Sequence, residues 1–295
     1  MREMTAELAA QGELRLGESA LWHAARQCLY WVDLYNPALF RLAPGMAEAE
    51  RRALSLVAPI GSAAATTDPN QLILSHRDGL SLLDLDTLEL TPYCNPEAGR
   101  DAVISNDLKC DRFGRLWMAT SHAGEREPRG ALWSVADRKT MALGDVGFPI
   151  ANGPAFSPDG RLLYFNDSLN RQTLVYDIAP DDLYPRNRRI FATYSEDEGL
   201  PDGLTVDAEG CIWTAQWAAA RAIRLSPQGE KLLTVRVPAG HVTSLCFAGE
   251  DLRDLYITTA RDGLNPEQLE RYPLSGSLFR LRPGVDGIPE SLFRS

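Results

Sequence analysis

The 295 residues contain no unbroken apolar run of about 18, the length a helix needs to span a bilayer. Near the N-terminus, Glu3 and Glu7 stand where a secretory signal would need an apolar stretch, so a cytoplasmic protein is expected. Basic residues are outnumbered, with 30 Lys and Arg against 40 Asp and Glu for a net charge of −10. That sign argues against partners such as nucleic acid or an anionic membrane, because a basic face must replace the counterions around phosphates. Cysteine is scarce: Cys28, Cys94, Cys110, Cys211 and Cys246 are an odd number with no C-x-x-C, which argues against a disulfide framework or a structural zinc site. Cys28, Cys211 and Cys246 fall in apolar runs, where a free thiol packs as a small core residue. G-x-G-x-x-G and Walker loops are both missing, leaving nucleotide cofactors unsupported, and the lack of a G-x-S-x-G elbow disfavours a serine hydrolase. No Gly/Ser linker or low-complexity stretch interrupts the chain, so one domain over 1–295 is expected.

What is present is a repeat. A polar turn, an apolar-aromatic strand, a second turn and a second strand recur six times. Taking Tyr30, Ile73, Trp117, Tyr164, Trp213 and Tyr256 as equivalent, the intervals are 43, 44, 47, 49 and 43 residues. Segments such as CLYWVDL, RLWMAT, LLYFND, CIWTAQW and DLYITTA are rich in aromatic and β-branched residues and bounded by D-x-x-G or P-D-G turns. Helical signals are few and short: NPEQLERY near 265 and AEAERRAL near 47. A period of about 45 residues holding several short strands is the length of a propeller blade, so the fold expected is all-β, a six-bladed β-propeller.

In a propeller, side chains at a matched phase in several repeats converge on the central channel. Glu18 and Asn152 lie twelve residues before the aromatic of their strands, and Asn106 and Asp202 lie eleven before theirs. Each alone is an ordinary turn residue. Together, two carboxylates and two amides without histidine form an oxygen-rich set suited to a hard divalent cation. Of the histidines, His23 and His76 read as capping or solvated edge residues, His241 is a candidate to reach the channel, and His122 follows the third-repeat strand. Trp217 is a blade-packing residue or a wall for a sugar face. The acidic run 195–203 reads as a solvated loop that raises the negative potential near Asp202.

The motifs LGESALW (16–22), SNDLKCDRFGRLWMAT (105–120), ANGPAFSPDGRLLYFNDS (151–168), LPDGLTVDAEGCIW (200–213) and DLYITTAR (254–261) occur in order along the chain. With them the sequence resembles the regucalcin, or senescence-marker-protein and gluconolactonase, family of six-bladed propellers. LERYPLSGSLFRL looks especially like the bacterial sugar-lactonase branch, including xylonolactonases. The resemblance implies hydrolysis of a sugar lactone to the open-chain acid with one divalent metal ion, Ca²⁺ first and Zn²⁺, Mn²⁺, Mg²⁺ or Fe²⁺ as alternatives. It implies Glu18, Asn152 and Asp202 as metal ligands, with Asp202 also the base toward water or else only its orienter. Asn106 and His122 are the implied substrate contacts. Two departures bear on the substrate. Ile104 stands where family members usually carry a sugar-gripping Arg, and the segment after the third-repeat strand, where they often carry an acid, reads SHAGERE. A non-catalytic cation-binding propeller and a lactonase or esterase for a non-sugar ester are the competing readings.

Overall fold

A computed structural model describes residues 2–294, and its strands are arranged in six sheets around a ring. Blades one to four are up-and-down meanders of four strands each. Their innermost strands are Gly17–His23, Ile60–Ala65, Val103–Cys110 and Ala151–Phe156. Leu200–Val206 and His241–Ala248 are the innermost strands of blades five and six. All six residues used to define the sequence period sit in the second strand of their blade, so the repeat seen in the sequence is the blade.

Each turn motif has a local cause. In D-R-F-G-R-L-W, Asp111 Oδ1 accepts the backbone N–H groups of Phe113 and Arg115, and Oδ2 accepts the indole N–H of Trp117 at 2.8 Å. In D-A-E-G-C-I-W, Asp207 does the same for Glu209, Cys211 and the Trp213 indole at 2.9 Å. Both aspartates are fully buried, and their charge is met by Arg115 and Arg224. The motif thus fixes the turn and docks the core tryptophan of the same blade.

The core is divided into six apolar clusters, each between neighbouring blades. Trp117, Leu132, Phe148 and Phe165 fill the gap between blades three and four. Trp213, Val235, Phe247 and Phe279 fill that between five and six, and Trp22, Trp31, Cys246 and Leu278 that between six and one. Four of the five cysteines, Cys110 among them, are buried and all five are free thiols.

Ring closure is made by the N-terminal segment. Glu7–Ala10 pairs antiparallel with Leu278–Leu281 and is the outermost strand of blade six. Arg2–Thr5 adds a fifth strand to blade five, parallel to Lys231–Arg236. At the far end of the channel, residues 286–294 cross the ring. Gly287 bridges Asp207 of blade five, Phe293 bridges Thr66 of blade two, and the Phe293 ring is fully buried.

Of the two helical signals, Pro266–Arg271 is a helix, capped by Asn265 with Gln268. The segment near 47 is not: Glu50–Ala53 is the outer strand of blade one, paired with Ala38–Leu42. Its helix-favouring composition yields to the ladder offered by the neighbouring strand, a case of tertiary pairing overriding local propensity. No helix among the described residues is long and apolar enough to cross a membrane.

Candidate active site

All six innermost strands carry a β-bulge at the same place. The pairing slips between Glu18 and Leu21, Ile60 and Ala63, Ser105 and Leu108, Asn152 and Ala155, Pro201 and Leu204, and Val242 and Leu245. One extra residue per strand re-aims the side chains there, which is how bulges commonly serve sites at barrel and propeller rims. The twelve- and eleven-residue offsets now have a geometric meaning. Glu18 and Asn152 are the last paired residues before the bulge, whereas Asn106 and Asp202 are its first extra residue. In blades one and four the first bulged residue, Ser19 (φ 58°) or Gly153 (φ 71°), is left-handed. For Ser19 this conformation is strained, a cost of about 1–2 kcal/mol of the kind retained where geometry serves a site.

Glu18, Asn106, Asn152 and Asp202 line one cavity of about 240 Å³. Tyr35, Glu125, Ser168, Trp217 and Asp262 complete much of its wall. A chain of hydrogen bonds crosses blades three, four and five beneath it. Asn106 Nδ2 donates to Asn152 Oδ1 at 2.6 Å and to the Ala151 carbonyl at 2.8 Å. Asn152 Nδ2 donates to Ser168 Oγ at 2.9 Å, and Ser168 Oγ donates to the Pro201 carbonyl at 2.7 Å. Asn166 Nδ2 donates to the Asp202 carbonyl. With its nitrogen committed to Ser168, Asn152 is oriented as an oxygen donor.

The electrostatics are those of crowded acids. Glu18 and Asp202 are buried and form no ion pair among the described residues. Burial, then repulsion from Asp202 and Asp107, holds the Glu18 carboxyl well above the ordinary range. Burial, then Asp107 and Glu125, does the same to Asp202. Asp107, the second bulged residue of blade three, is pushed up to about 6 by burial, against the pull of the Gly153 N–H it accepts at 2.8 Å and of Lys109. Crowding of three carboxyls favours a proton among them, and Glu18 and Asp202, which share the cavity, favour a cation beside them.

Asp107, Asn166 and Ser168 are not marked by the sequence, and neither are Tyr35, Glu125 and Asp262 of the wall. Asp107 was within reach, because it adjoins Asn106 in the Ser-Asn-Asp motif. Asn166 and Ser168 act across blades, and no spacing rule exposes that. His122 does not line the cavity; its ring Nδ1 accepts the backbone N–H groups of Arg126 and Glu127 at 3.3 and 3.0 Å. The acid supplied by the same loop is Glu125. His241 lies behind the wall, its ring stacked on Trp217 at 3.9 Å and 6°. Burial holds the His241 imidazole down at about 4, so it packs as a neutral ring. His23 and His76 are buried capping residues, accepting the N–H groups of Arg26 and Asp78. In the acidic run, Glu196–Glu198 forms a 3₁₀ turn, and Glu198 is tied to Lys231.

The family model described as the SMP-30/gluconolactonase/LRE-like region matches residues 16–261, most of the chain. The chain belongs to this family. Within the SMP-30/gluconolactonase family it is 34% identical to a 6-deoxy-6-sulfogluconolactonase of Pseudomonas putida, spanning 94% of each chain. It is 32% identical to an L-arabinolactonase of Azospirillum brasilense, over 98% of this chain and 95% of the other. Its backbone superposes on that of the calcium-binding protein regucalcin from Agrobacterium tumefaciens with a TM-score of 0.93 at 25% identity, covering 100% and 99% of the two chains. Membership places the chain among hydrolases of cyclic esters.

Proposed function

We propose that the protein hydrolyses a sugar lactone to the open-chain sugar acid with one divalent cation held by Glu18, Asn152 and Asp202. The observation that carries this reading is the convergence, on one cavity, of two buried carboxylates without an ion-pair partner and an amide oriented to present oxygen. Among the described residues no three His, Cys, Asp or Glu side chains form a metal-holding group, so the donor set requires the Asn152 oxygen. An all-oxygen set fits a hard cation, and Ca²⁺ is the first candidate. When bound, such a cation supplies Lewis acidity toward the lactone carbonyl oxygen and charge that offsets the crowded acids.

The chain's own groups do the rest. Asp202, at the first bulged position of blade five, is placed to take a proton from the attacking water. Burial, Asp107 and Glu125 raise its proton affinity in the cation-free protein, a bound cation opposes that rise, and the alternative role for Asp202 is to orient the attacking water. The Asn106 side-chain oxygen, left unused when its nitrogen bonds Ala151 and Asn152, is available to a substrate hydroxyl or to the water. Trp217 offers a ring to the apolar face of a sugar. Glu125 stands as the acid on the third-blade loop that accepts from substrate hydroxyls. Addition of water to the carbonyl carbon forms the new C–O bond, and the C–O bond to the ring oxygen then breaks, the ring oxygen taking up the proton removed from the water to become the hydroxyl of the open-chain acid.

A panel of five- and six-carbon aldonolactones with a phenyl ester, assayed with and without chelator, tests the reading. Turnover of a sugar lactone should vanish on chelation and return with a divalent cation. Asp202→Ala should lose both tight metal binding, read by calorimetry, and turnover by a factor of about 10³ or more. Activity that survives chelation rejects the metal route. Metal binding with no turnover of any ester favours a cation-binding propeller without catalysis.

A further inference from the structure

Resting on the lactonase reading, we propose that the cavity admits uncharged aldonolactones and turns away those bearing an anionic group, with Glu125 and Asp262 as the discriminating residues and His122 as the positioning residue for Glu125.

The cavity wall is one-sided in charge. Its ionisable carboxyl groups are Glu18, Glu125, Asp202 and Asp262, and no Lys, Arg or His lines it among the described residues. A divalent cation would balance Glu18 and Asp202 on the floor and leave the two outer acids. Arg15 meets one of them, donating from Nε to Asp262 Oδ1 at 2.7 Å, and its guanidinium also covers the Tyr35 ring at 4.4 Å. Glu125 has no such partner, and its carboxyl is raised by partial desolvation and by Asp262. A sulfonate, phosphate or free carboxylate on the sugar would enter beside Glu125 with no cationic side chain on the wall to pair with, because Arg15 is outside the lining and already held by Asp262. Neutral hydroxyls face acceptors instead: carboxylates, Asn106 and Ser168, with Trp217 and Tyr35 as flat walls. Like charges at close range in a restricted cavity discriminate strongly and in a salt-dependent way.

Glu125 is held in place by its loop. Its backbone is left-handed (φ 54°), a conformation glutamate keeps only when its neighbours enforce it. Ala123 N–H anchors the loop on the Ala102 carbonyl at 2.8 Å, and the bonds that fix the turn itself converge on His122. Glu125 N–H donates to the His122 carbonyl at 2.8 Å, and the next two N–H groups, of Arg126 and Glu127, donate to His122 Nδ1. His122 therefore sets where the Glu125 carboxylate stands without touching the cavity. The sulfogluconolactonase relative is named for a lactone that carries a sulfonate, so the proposal separates this chain from it on substrate charge despite 34% identity.

The test compares gluconolactone with its 6-sulfonate and with glucarolactone, using the cation-loaded protein at low and high salt. Binding of 1,5-anhydroglucitol and its 6-sulfonate, neither of which can be hydrolysed, is followed by calorimetry. The neutral lactone should lead in kcat/KM by about 30-fold or more at low salt, with the gap narrowing as salt rises. Glu125→Gln and Asp262→Asn should each shrink the ratio about 5-fold or more, chiefly through the KM of the anionic substrate; the second frees Arg15. His122→Ala should act like Glu125→Gln, and His122→Asn, which restores a ring-independent acceptor, should recover selectivity. An anionic lactone turned over as well as the neutral one, or a ratio that neither acid variant moves, overturns the proposal. If no lactone is hydrolysed yet the neutral polyol binds in preference to its sulfonate, the catalytic reading fails and the charge selection stands. Equal or absent binding of both polyols overturns the selection itself.

Discussion

Asp107 ties stability to pH in a way that isolates the acid cluster. Its carboxyl is pushed up to about 6 in the folded protein, above an ordinary aspartate. A group whose folded pKa exceeds its unfolded value binds more protons when folded, so its stabilising contribution is present at low pH and is lost as pH rises through that interval. The metal-free protein should therefore lose thermal stability between about pH 4.5 and 7 relative to an Asp107→Asn variant. The asparagine keeps an oxygen for the Gly153 N–H while removing the charge. In chelator, the variant's Tm should match wild type at the lower pH and exceed it by a few degrees at the higher. An equal difference at both pH values would show that charge crowding is not the cause. Addition of a divalent cation should close the gap by favouring the ionised wild-type site.

The decisive element is the bulged innermost strand, repeated in every blade. The bulges press on one another around the channel. A Cβ on Gly61 would come within 2.6 Å of the Asn106 carbonyl oxygen, and one on Gly203 within 2.8 Å of the Thr243 carbonyl oxygen and 2.9 Å of Ser244 Cα. Neither obstacle is a flexible side-chain tip, so the backbone has to move. Gly203→Ala should cost about 1–3 kcal/mol by chemical denaturation. It should also lower kcat, because Asp202 occupies the same bulge. A variant with wild-type stability and rate would mean that the bulges are not in mutual register. The glycine of the P-D-G motif is thus a packing requirement, beside the role proposed for its aspartate.

Across the whole molecule, stability depends on a closed circle of interblade clusters, so the strand that closes it should matter more than its size indicates. Glu7–Ala10 covers the edge of Leu278–Leu281, and Ala10 packs in the cluster between blades six and one. Arg2–Thr5 only extends blade five beyond its fourth strand. Removal of residues 1–5 should lower Tm by a few degrees. Removal of 1–10 should lower it by roughly 10 °C or more and promote association through the bared edge. Thermal denaturation with light scattering checks both, and equal effects would contradict closure by the second strand.

The chain's own order of residues determined the six-fold period, the place of each core aromatic in the second strand of its blade, and the shared position of Glu18, Asn106, Asn152 and Asp202. These were legible because one blade is a local unit: its turns, alternation and Trp-binding aspartates all lie within about 45 residues. The segment near 47 reads as helix yet forms a strand, because its local composition carries no sign of the strand beside it. The three-dimensional fold alone decided that two of the four polar residues precede the bulge and two occupy it. The same holds for Asp107 crowding Glu18 and Asp202, for Ser168 orienting Asn152, and for Glu125 rather than His122 lining the cavity. The physical reason is that charge repulsion, desolvation and cross-blade hydrogen bonds depend on distances between segments far apart in sequence, which no pattern within a repeat records.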